Sequence, residues 1–529
     1  MKYLIILTCS FSLAVWGCHG SKIIAVFPSI SKTNYIFGQV LFEELAARGH
    51  QLTVISPFEI SYGSDNIRQI RLTGMVAHLA DYEINQKPFT KWDKMDLCGD
   101  RNLIHGTAAM TDYTLGHPDV RKLLESDETF DLMILDHTMA DSLLGLALHY
   151  RIPVIVYSST GPNRFTNEMA ACPHNPAYNP VSSLGYSDRM SLSERLWNTF
   201  ASICEQLNYK YLYLPTQETI YRRHFPAAHF PPLLDLIHNV SLVLVNSHPV
   251  INYPRPLVPN MVEIGGAHLR RFEESGLSED LIGWLEAAKK GVIYFSLGAN
   301  TKSMDLPANV RRAFTGAFGQ LPGTLIIWKW ENITLENHTT NVILGPWMPQ
   351  QELLAHPNVR LHITHGGSLG MMESVYHGKP ILGLPFTGDQ QTLVDRAVEF
   401  GYGLKLDYQN ISEDVVLESI KRIMLDSKFR ENALEASRLF RTQPIKPMDK
   451  AVHYIELVLN SPRGLNHLRS AALNLAFWER QLVDVVLCCI GILLLPVAVF
   501  AVVIQIILRK THQRKSDAIR KSTMIKKTN

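Results

Sequence analysis

Residues 347–390 read WMPQQELLAHPNVRLHITHGGSLGMMESVYHGKPILGLPFTGDQ. The centre of this stretch runs from a short apolar strand, Leu361–Thr364, into the triplet His-Gly-Gly at residues 365–367, and the pattern after it predicts a helix over about Ser368–His377. A strand, a glycine turn and a helix in this order direct free backbone N–H groups and the positive end of the helix dipole at whatever lies above the strand. The stretch therefore predicts a phosphate-binding turn in an α/β fold.

The same stretch resembles the signature of the UDP-glycosyltransferases, which transfer a sugar from a UDP-sugar to a small, usually lipophilic acceptor. Further segments resemble landmarks of that family: IYFSLG at 293–298, WKWE at 328–331, NPAY at 175–178 and RSAA at 469–472. The resemblance implies a GT-B-like α/β fold, in which two doubly wound Rossmann-like domains face each other across a cleft. The N-terminal domain would bind the acceptor and the C-terminal domain the UDP-sugar.

Short apolar runs alternate with helical stretches along both halves of the chain, which predicts parallel sheets covered on both faces. The length of 529 residues also favours two large domains. The predicted strands are Ile23–Phe27, Leu52–Ile55, Leu132–Leu135, Val154–Tyr157 and Leu242–Val245 in the first half, and Val292–Ser296, Thr324–Trp328, Val342–Leu344, Leu361–Thr364 and Ile381–Leu384 in the second. The predicted segments are a signal peptide at 1–20, an acceptor domain at 21–250, a donor domain at 251–450, membrane-proximal helices at 451–484, a transmembrane helix at 485–508 and a basic tail at 509–529.

The two ends of the chain predict a membrane protein. Residues 3–16 form a mostly apolar run after Lys2, as in a signal peptide. Residues 485–508 carry no charge and are long enough to cross a bilayer. The basic tail would then be cytosolic and the bulk of the chain luminal. The final residues, KKTN, resemble the dilysine retrieval signal of the endoplasmic reticulum, so we expect a single-pass type I protein of that membrane.

Composition limits the other partners. The formal net charge is +2, which gives no reason to expect nucleic acid. No paired Cys/His spacing is typical of zinc, and there is no Asp-x-Asp dyad, so we expect a reaction without metal or cofactor, with the UDP-sugar as co-substrate. The sequence leaves the oligomeric state open, a homo-oligomer included. Four sequons, beginning at Asn239, Asn332, Asn337 and Asn410, are glycosylation candidates.

The resemblance implies a role for each polar residue of the 347–390 stretch. Trp347 would stack on the uracil, and Gln350 would contact the base or the ribose. His365 would donate a hydrogen bond to the diphosphate as charge builds on the leaving UDP, in the turn that Gly366 and Gly367 form.

Three further residues complete the implied donor site. Glu373, about two helical turns after the histidine, would accept the ribose hydroxyls, and Asp389 with Gln390 would bind the sugar hydroxyls. Two positions depart from the family: Leu369 stands where many relatives have Asn, and Ala299 where they commonly have a phosphate-facing Ser. Each departure is expected to weaken donor binding by about 1 kcal/mol if nothing replaces the hydrogen bond.

The most important departure lies after the first predicted strand. Relatives carry a general-base histidine there, and this chain has Asn34 at that position. An amide has no useful basic pKa and cannot accept the acceptor's proton. The acidic partner of that histidine is still recognisable as Asp136, and either Asp136 or the adjacent His137 is an alternative base. If strand pairing continues, the side chain of His137 points the other way.

Two hypotheses follow. The first is an active, inverting hexosyltransferase with UDP-glucose as the expected donor, since no basic partner for a uronate is evident beside Asp389 and Gln390. Asn34 would favour acceptors that need little base, such as phenols, acids, thiols or amines, as in detoxification. The second is a membrane-anchored protein that binds UDP-sugar or a lipophilic ligand with little turnover. The sequence does not identify the acceptor.

Overall fold

A computed structural model of the chain describes residues 20–60, 63–82, 101–269, 276–332, 334–335, 338–386, 388–461 and 465–525. Most of the predicted signal peptide, the sequon at Asn337 and the lysines at 526 and 527 lie outside these residues. The chain divides into two compact units, Met1–Ser470 and Ala471–Asn529.

The first domain is built on a parallel sheet of seven strands in the order β3-β2-β1-β4-β5-β6-β7. Its central strands are buried along their whole length, because helices cover both faces of the sheet. The strands are β1 Lys22–Val26, β2 Gln51–Ser56, β3 Ile67–Arg71, β4 Leu132–Asp136, β5 Val154–Ser158, β6 Leu242–Val245 and β7 Met261–Glu263.

The second domain repeats this architecture with six parallel strands in the order β10-β9-β8-β11-β12-β13. Residues of the predicted donor site, His365 and Asp389 among them, follow the carboxyl ends of these strands, where open parallel sheets bind ligands. The strands are β8 Val292–Ser296, β9 Leu325–Lys329, β10 Val342–Gly345, β11 Val359–Thr364, β12 Ile381–Gly383 and β13 Gly403–Lys405.

Helices connect the strands of both sheets. Those of the first domain are α1 Lys32–Ala47, α2 Met75–His78, α3 Arg101–Gly116, α4 Pro118–Glu125, α5 Leu144–Tyr150, α6 Arg164–Ala170, α7 Leu192–Asn208, α8 Leu214–His224 and α9 Leu233–His238, with a π-helical turn at Tyr209–Tyr213. The helices that follow are α10 Glu279–Ala287, α11 Ala308–Gly319, α12 Gln350–Ala355, α13 Ser368–Tyr376, α14 Gln390–Glu399, α15 Glu413–Leu425, α16 Ser427–Arg441 and α17 Pro447–Leu459.

The predicted fold class is confirmed, and each of the ten predicted strands is present. The predicted domain limits need two corrections. The boundary at residue 250 falls before β7, which is the last strand of the first sheet. The segment after residue 450 is not only membrane-proximal, because Ala451, Val452 and Ile455 of α17 pack into the hydrophobic core of the first domain.

The second unit contains α18, Phe477–Arg480, and α19, Val483–Ile525. Among the described residues, one helix is long and apolar enough to cross a membrane, Val483–Arg520, and none of its apolar window is buried by protein. By length and composition this helix could anchor the chain in a membrane. It extends well past the predicted limit at residue 508, since the basic tail continues the same helix.

Candidate active site between the two domains

Asn34 lies in the first turn of α1, beside the carboxyl end of β1, and three side chains fix its amide. Ser31 is the N-cap of α1, and its hydroxyl donates to Asn34 Oδ1 at 3.2 Å. The hydroxyl of Ser159 donates to the same oxygen at 2.9 Å. On the other side, Asn34 Nδ2 donates to Asp136 Oδ2 at 3.5 Å. The amide is therefore oriented with its nitrogen toward the carboxyl group and its oxygen engaged by two hydroxyls.

Asp136, the last residue of β4, is almost completely buried. Burial raises the pKa of its carboxyl to about 7, although the Asn34 amide and the Thr138 hydroxyl oppose this effect by favouring the carboxylate. Its Oδ1 makes no hydrogen bond of good geometry within the described part of the chain. Asp136 thus has an oxygen available to accept a proton near neutral pH, which the amide of Asn34 does not.

The ring of His137 lies beside an aromatic cluster of the first domain. Its ring lies 5.7 Å from that of Phe165, and Phe165 contacts Tyr213 at 5.0 Å. Burial lowers the pKa of His137 to about 4, so the ring is neutral at physiological pH. A second buried acid, Asp141, is bound to Tyr213 through its backbone N–H, and burial raises the pKa of its side chain to about 7.

His365 follows β11 and lies between two glycines of the second domain. A Cβ atom on Gly298 would lie 2.6 Å from His365 Cε1, and one on Gly367 would lie 2.5 Å from His365 Nε2. A side chain at position 298 or 367 would therefore overlap the imidazole ring of His365. Burial lowers the pKa of His365 to about 4, and the Lys329 ammonium adds to this effect, so the ring is neutral and can donate one N–H.

Gly366 also serves the turn. Its φ of 87° belongs to the left-handed region, and a Cβ atom there would lie 3.0 Å from the carbonyl oxygen of Gln390. This close approach brings the start of α14 beside the His365 turn, at the N-terminus of α13. The predicted phosphate-binding turn and the predicted sugar-binding pair are therefore adjacent.

Glu373 is buried inside α13 and is held by two side-chain amides. Gln350 and Gln351 at the start of α12 both donate to its carboxylate. His268 Nε2 lies 3.5 Å from Glu373 Oε1, and the Tyr294 hydroxyl donates to Gln350 Oε1 at 3.1 Å. Gln350 and Glu373, predicted separately, thus form one network, which ribose hydroxyls would enter by replacing amide contacts.

Asp389 and Gln390 lie at the start of α14, directly after β12. Asp389 is the N-cap residue of this helix, and burial raises the pKa of its half-buried carboxyl to about 6. The side-chain oxygen of Gln390 accepts from the backbone N–H of Phe386 at 2.9 Å. Gly185 of the first domain lies against Gln391, since a Cβ atom there would be 3.3 Å from the Cβ of Gln391. The first turn of α14 therefore lies against the first domain.

Two contacts cross the cleft at the N-terminus of α1. Asn300, in the loop after β8, donates to the Ser31 hydroxyl at 2.9 Å. Lys32 places its ammonium 3.9 Å from the ring centroid of Trp347, which is 52% exposed. The first domain thus covers part of the indole that was predicted to stack on uracil.

Of the two family departures, Leu369 has a structural explanation. It is buried and belongs to the hydrophobic cluster of the first domain, together with Phe37 and Ala267. Beside it, Ser368 accepts at 3.3 Å from Asn246, a buried residue of the first domain. Leu369 therefore joins the two domains by apolar packing. Nothing in the structure explains Ala299.

The residues that sequence patterns did not identify are those that join the two domains or orient the predicted ones. Ser31 and Lys32 lie in the loop that drew attention to Asn34. No sequence pattern indicated Ser159, Asn300 or His268, because each is far in sequence from the site residue that it contacts. Within the described ranges, no group of three or more His, Cys, Asp or Glu side chains is arranged to hold a metal ion.

Two Rossmann-like parallel-sheet domains that contact each other have the architecture of the GT-B fold. Solved structures of this class are similar to the chain: a glycotransferase of kitacinnamycin has a TM-score of 0.57 and 18% identity over 83% of this chain and 99% of its own. A UDP-glucose:anthocyanidin 3-O-glucosyltransferase in complex with UDP has a TM-score of 0.54 and 16% identity, over 83% and 99%.

Residues 29–521 match the family UDP-glucoronosyl and UDP-glucosyl transferase, and the chain belongs to this family of enzymes. UDP-glycosyltransferase UGT5 of Dactylopius coccus is 31% identical over 92% of both chains. Human UDP-glucuronosyltransferase 1A10 is 28% identical over 91% of this chain and 89% of its own. Relatives thus include proteins named for glucuronosyl transfer as well as for glycosyl transfer in general.

Proposed function

We propose that this glycosyltransferase transfers glucose from UDP-glucose to a small lipophilic acceptor, with inversion at the anomeric carbon, on the luminal side of the endoplasmic reticulum membrane. The UDP-sugar site would comprise Trp347 and Gln350 for the base, His365 for the diphosphate, Glu373 for the ribose, and Asp389 with Gln390 for the hexose. Protease treatment of sealed microsomes tests the topology: only the basic tail that follows residue 508 should be removed.

The observation that carries this proposal is the arrangement of donors and acceptors on the two walls of one cleft. On the second domain, a neutral His365 stands at the start of α13, where an N–H and the helix end both favour a diphosphate. On the first domain, Asn34 and Asp136 form a hydrogen-bonded pair. The Ser31–Asn300 contact shows that the two walls meet at the N-terminus of α1.

The proposed acceptor class follows from the pair of Asn34 and Asp136. Asn34 cannot take a proton, whereas Asp136 has a buried oxygen without a good partner and a pKa raised to about 7. An amine acceptor attacks the anomeric carbon with its own lone pair, the bond to the UDP oxygen breaks, and the UDP leaves with the electron pair. The proton that the new ammonium group loses would pass to the Asp136 carboxylate. Amines need no base before attack, so they are the favoured acceptors.

The test measures UDP release with UDP-glucose and UDP-glucuronate over a matched panel of amines, phenols and aliphatic alcohols. We expect turnover of amines with UDP-glucose and little with alcohols. Because Asp136 must be deprotonated, amine turnover should rise as the pH increases through about 7. His365→Ala should abolish most release of UDP. Preference for alcohols, or a rate that falls as pH rises through 7, would contradict the proposal.

A binding protein with little turnover is the second candidate. This alternative is favoured by the surroundings of Asn34. Two serine hydroxyls already donate to its amide oxygen, so the position where relatives carry a histidine offers no general base for the acceptor. Tight binding of UDP and of lipophilic amines without UDP release would establish this alternative.

A further inference from the structure

Helix α7 and the π-helical turn after it expose a row of large apolar side chains. These residues lie at steps of three or four, so they share one face of the helix over a length of roughly 28 Å. Each is between 42 and 67% exposed, whereas large exposed apolar residues elsewhere in the first domain are few and scattered. This apolar stripe consists of Leu192, Leu196, Phe200, Ile203, Leu207 and Tyr211, with Trp197 and Leu212 at its margins.

The stripe cannot turn inward, because the opposite face of the helix carries a buried polar anchor. Asn198 is completely buried, and its amide donates to the carbonyl oxygens of Pro176 and Asn179 at 2.7 and 2.9 Å. Its side-chain oxygen accepts from the backbone N–H of Val181 at 2.7 Å. Rotating the helix to bury Leu196 would break all three hydrogen bonds in the protein interior, which is costly.

The inward face of this helix carries Asn198 and two small residues, Ala201 and Cys204, whereas its large apolar side chains lie on the opposite face. The polar Asn198 faces the protein, as does Gln217 further along in α8, where it accepts from Ser142 and donates to Met139. The leucines and phenylalanine face outward. An apolar face of this length and regularity is a feature of surfaces that contact a partner or a membrane.

Charge and aromatic placement favour a bilayer as the occupant. Arg195 and Lys210 are the exposed charged residues of α7 and the π-turn, and both are positive. Glu205 is half-buried, and Glu194 caps the N-terminus of α7, where its carboxylate accepts from the backbone N–H of Ser191 at 2.7 Å. Trp197 and Tyr211 have an apolar ring with a polar group, which suits the boundary between acyl chains and headgroups. The same chain also carries a helix that could span a membrane, so a bilayer is available to it.

We infer that the apolar stripe of α7 lies in the surface of a lipid bilayer, with Arg195 and Lys210 near anionic headgroups, as an interfacial helix that is separate from the candidate membrane span. The inference does not depend on which sugar or acceptor the enzyme uses. A second copy of this chain is the competing occupant, and it makes a different prediction about lipid contact.

The experiment uses the full-length protein in nanodiscs of phosphatidylcholine with a minority of phosphatidylserine, one copy per disc. An environment-sensitive fluorescent amino acid replaces Leu196, or Leu425 as the matched control, an exposed leucine of α15 in the second domain. We expect blue-shifted emission at position 196, quenched about twofold or more by nitroxide-labelled lipids, because an interfacial helix lies ~5–10 Å into the headgroup boundary. Position 425 should report water and show no quenching.

A second variant tests whether the quenching by lipid depends on the apolar stripe itself. With the probe at Ile203, the double change Leu196→Glu and Phe200→Glu should remove the quenching and leave the melting temperature in detergent unchanged, since both side chains are exposed. Emission at 196 that resembles that at 425 would overturn the inference. So would a blue shift that nitroxide lipids do not quench and that appears only with two copies per disc, because a second copy would then cover the stripe.

Discussion

In the proposed reaction, the chemistry of the acceptor side depends on Asn34 and on the groups that hydrogen-bond to its amide. Ser31 and Ser159 saturate the oxygen, and Asp136 receives the nitrogen, so the side chain holds a carboxyl group in place without taking a proton. A histidine at position 34 would be able to take the proton, because the Asp136 carboxylate would orient its ring and stabilise the imidazolium.

Asn34→His is therefore predicted to raise turnover of weakly acidic alcohols far more than that of amines, by on the order of tenfold or more. Initial rates of UDP release with paired alcohol and amine acceptors measure the effect. Adding Asp136→Asn should cancel most of the gain, since the ring then loses its orienting charge. Equal gains for both acceptor classes would show that proton abstraction at position 34 is not what limits alcohols.

Lys32 gives a second prediction at this scale. Its ammonium lies over the ring of Trp347, so a base that stacks on that face must displace it. A cation–π contact at an exposed site is worth about 0.5–1 kcal/mol, so Lys32→Met should tighten uridine binding about two- to fivefold. Uridine is the right probe for calorimetry because it is neutral. Lys421→Met, which removes the same charge from α15, should leave uridine binding unchanged, and weaker binding in Lys32→Met would mean that Lys32 supports the base.

At the scale of elements, the sequence predicted all interior strands of both sheets and one edge strand, β10, and missed the other three edge strands. β3 (IRQIR), β7 (MVE) and β13 (GLK) are short or carry polar residues, since an edge strand is covered less completely. A continuous apolar run thus predicts a strand, which is an edge strand in the case of β10 (VILG), whereas the absence of such a run does not exclude an edge strand. The same limit explains the boundary placed at residue 250, before β7.

The turn between β11 and α13 was predictable because its residues are contiguous, whereas the cleft contacts were not. His365, Gly366 and Gly367 follow one another directly in the sequence. Ser159 is 125 residues from Asn34, and Asn300 is 269 residues from Ser31, so only the packing of both domains brings these groups together. Local patterns therefore predicted the donor wall of the site better than the contacts that join it to the acceptor wall.

Gly367 tests how closely this turn is built around His365. Its φ of −64° is accessible to alanine, so Gly367→Ala acts through the added methyl, which would lie 2.5 Å from His365 Nε2. Displacing the ring should cost its hydrogen bond to the diphosphate and weaken UDP binding about tenfold, since a bond to a charged group is worth about 1.5–3 kcal/mol. Gly283→Ala, on α10 with no atom within 4 Å of the new methyl, is the matched control for calorimetry with UDP. Equal affinities in the two variants would contradict the assigned role of His365.

At the scale of the whole molecule, the two domains share a core. α17 follows the second domain in sequence but packs into the cluster around β1 and β4, and Arg48 of α1 pairs with Asp449 at 2.9 Å. Leu369 of the second domain enters the same cluster. Residues 20–470 should therefore unfold as one cooperative unit, although they contain two sheets.

Ile455→Ala is the sharpest test of this coupling. The side chain is completely buried in α17, and its loss should cost about 2–5 kcal/mol, as for other large-to-small changes in a core. Because the donor site lies in the other domain, UDP affinity at low temperature should stay the same. Calorimetric melting of the full-length protein in detergent should show one transition, and UDP should raise its melting temperature whereas Ile455→Ala should lower it. The control Val415→Ala, at a side chain that is 44% exposed on α15, should change the melting temperature little. Two transitions, of which UDP moves one and Ile455→Ala only the other, would show that α17 stabilises the first domain alone and that the shared core does not couple the halves.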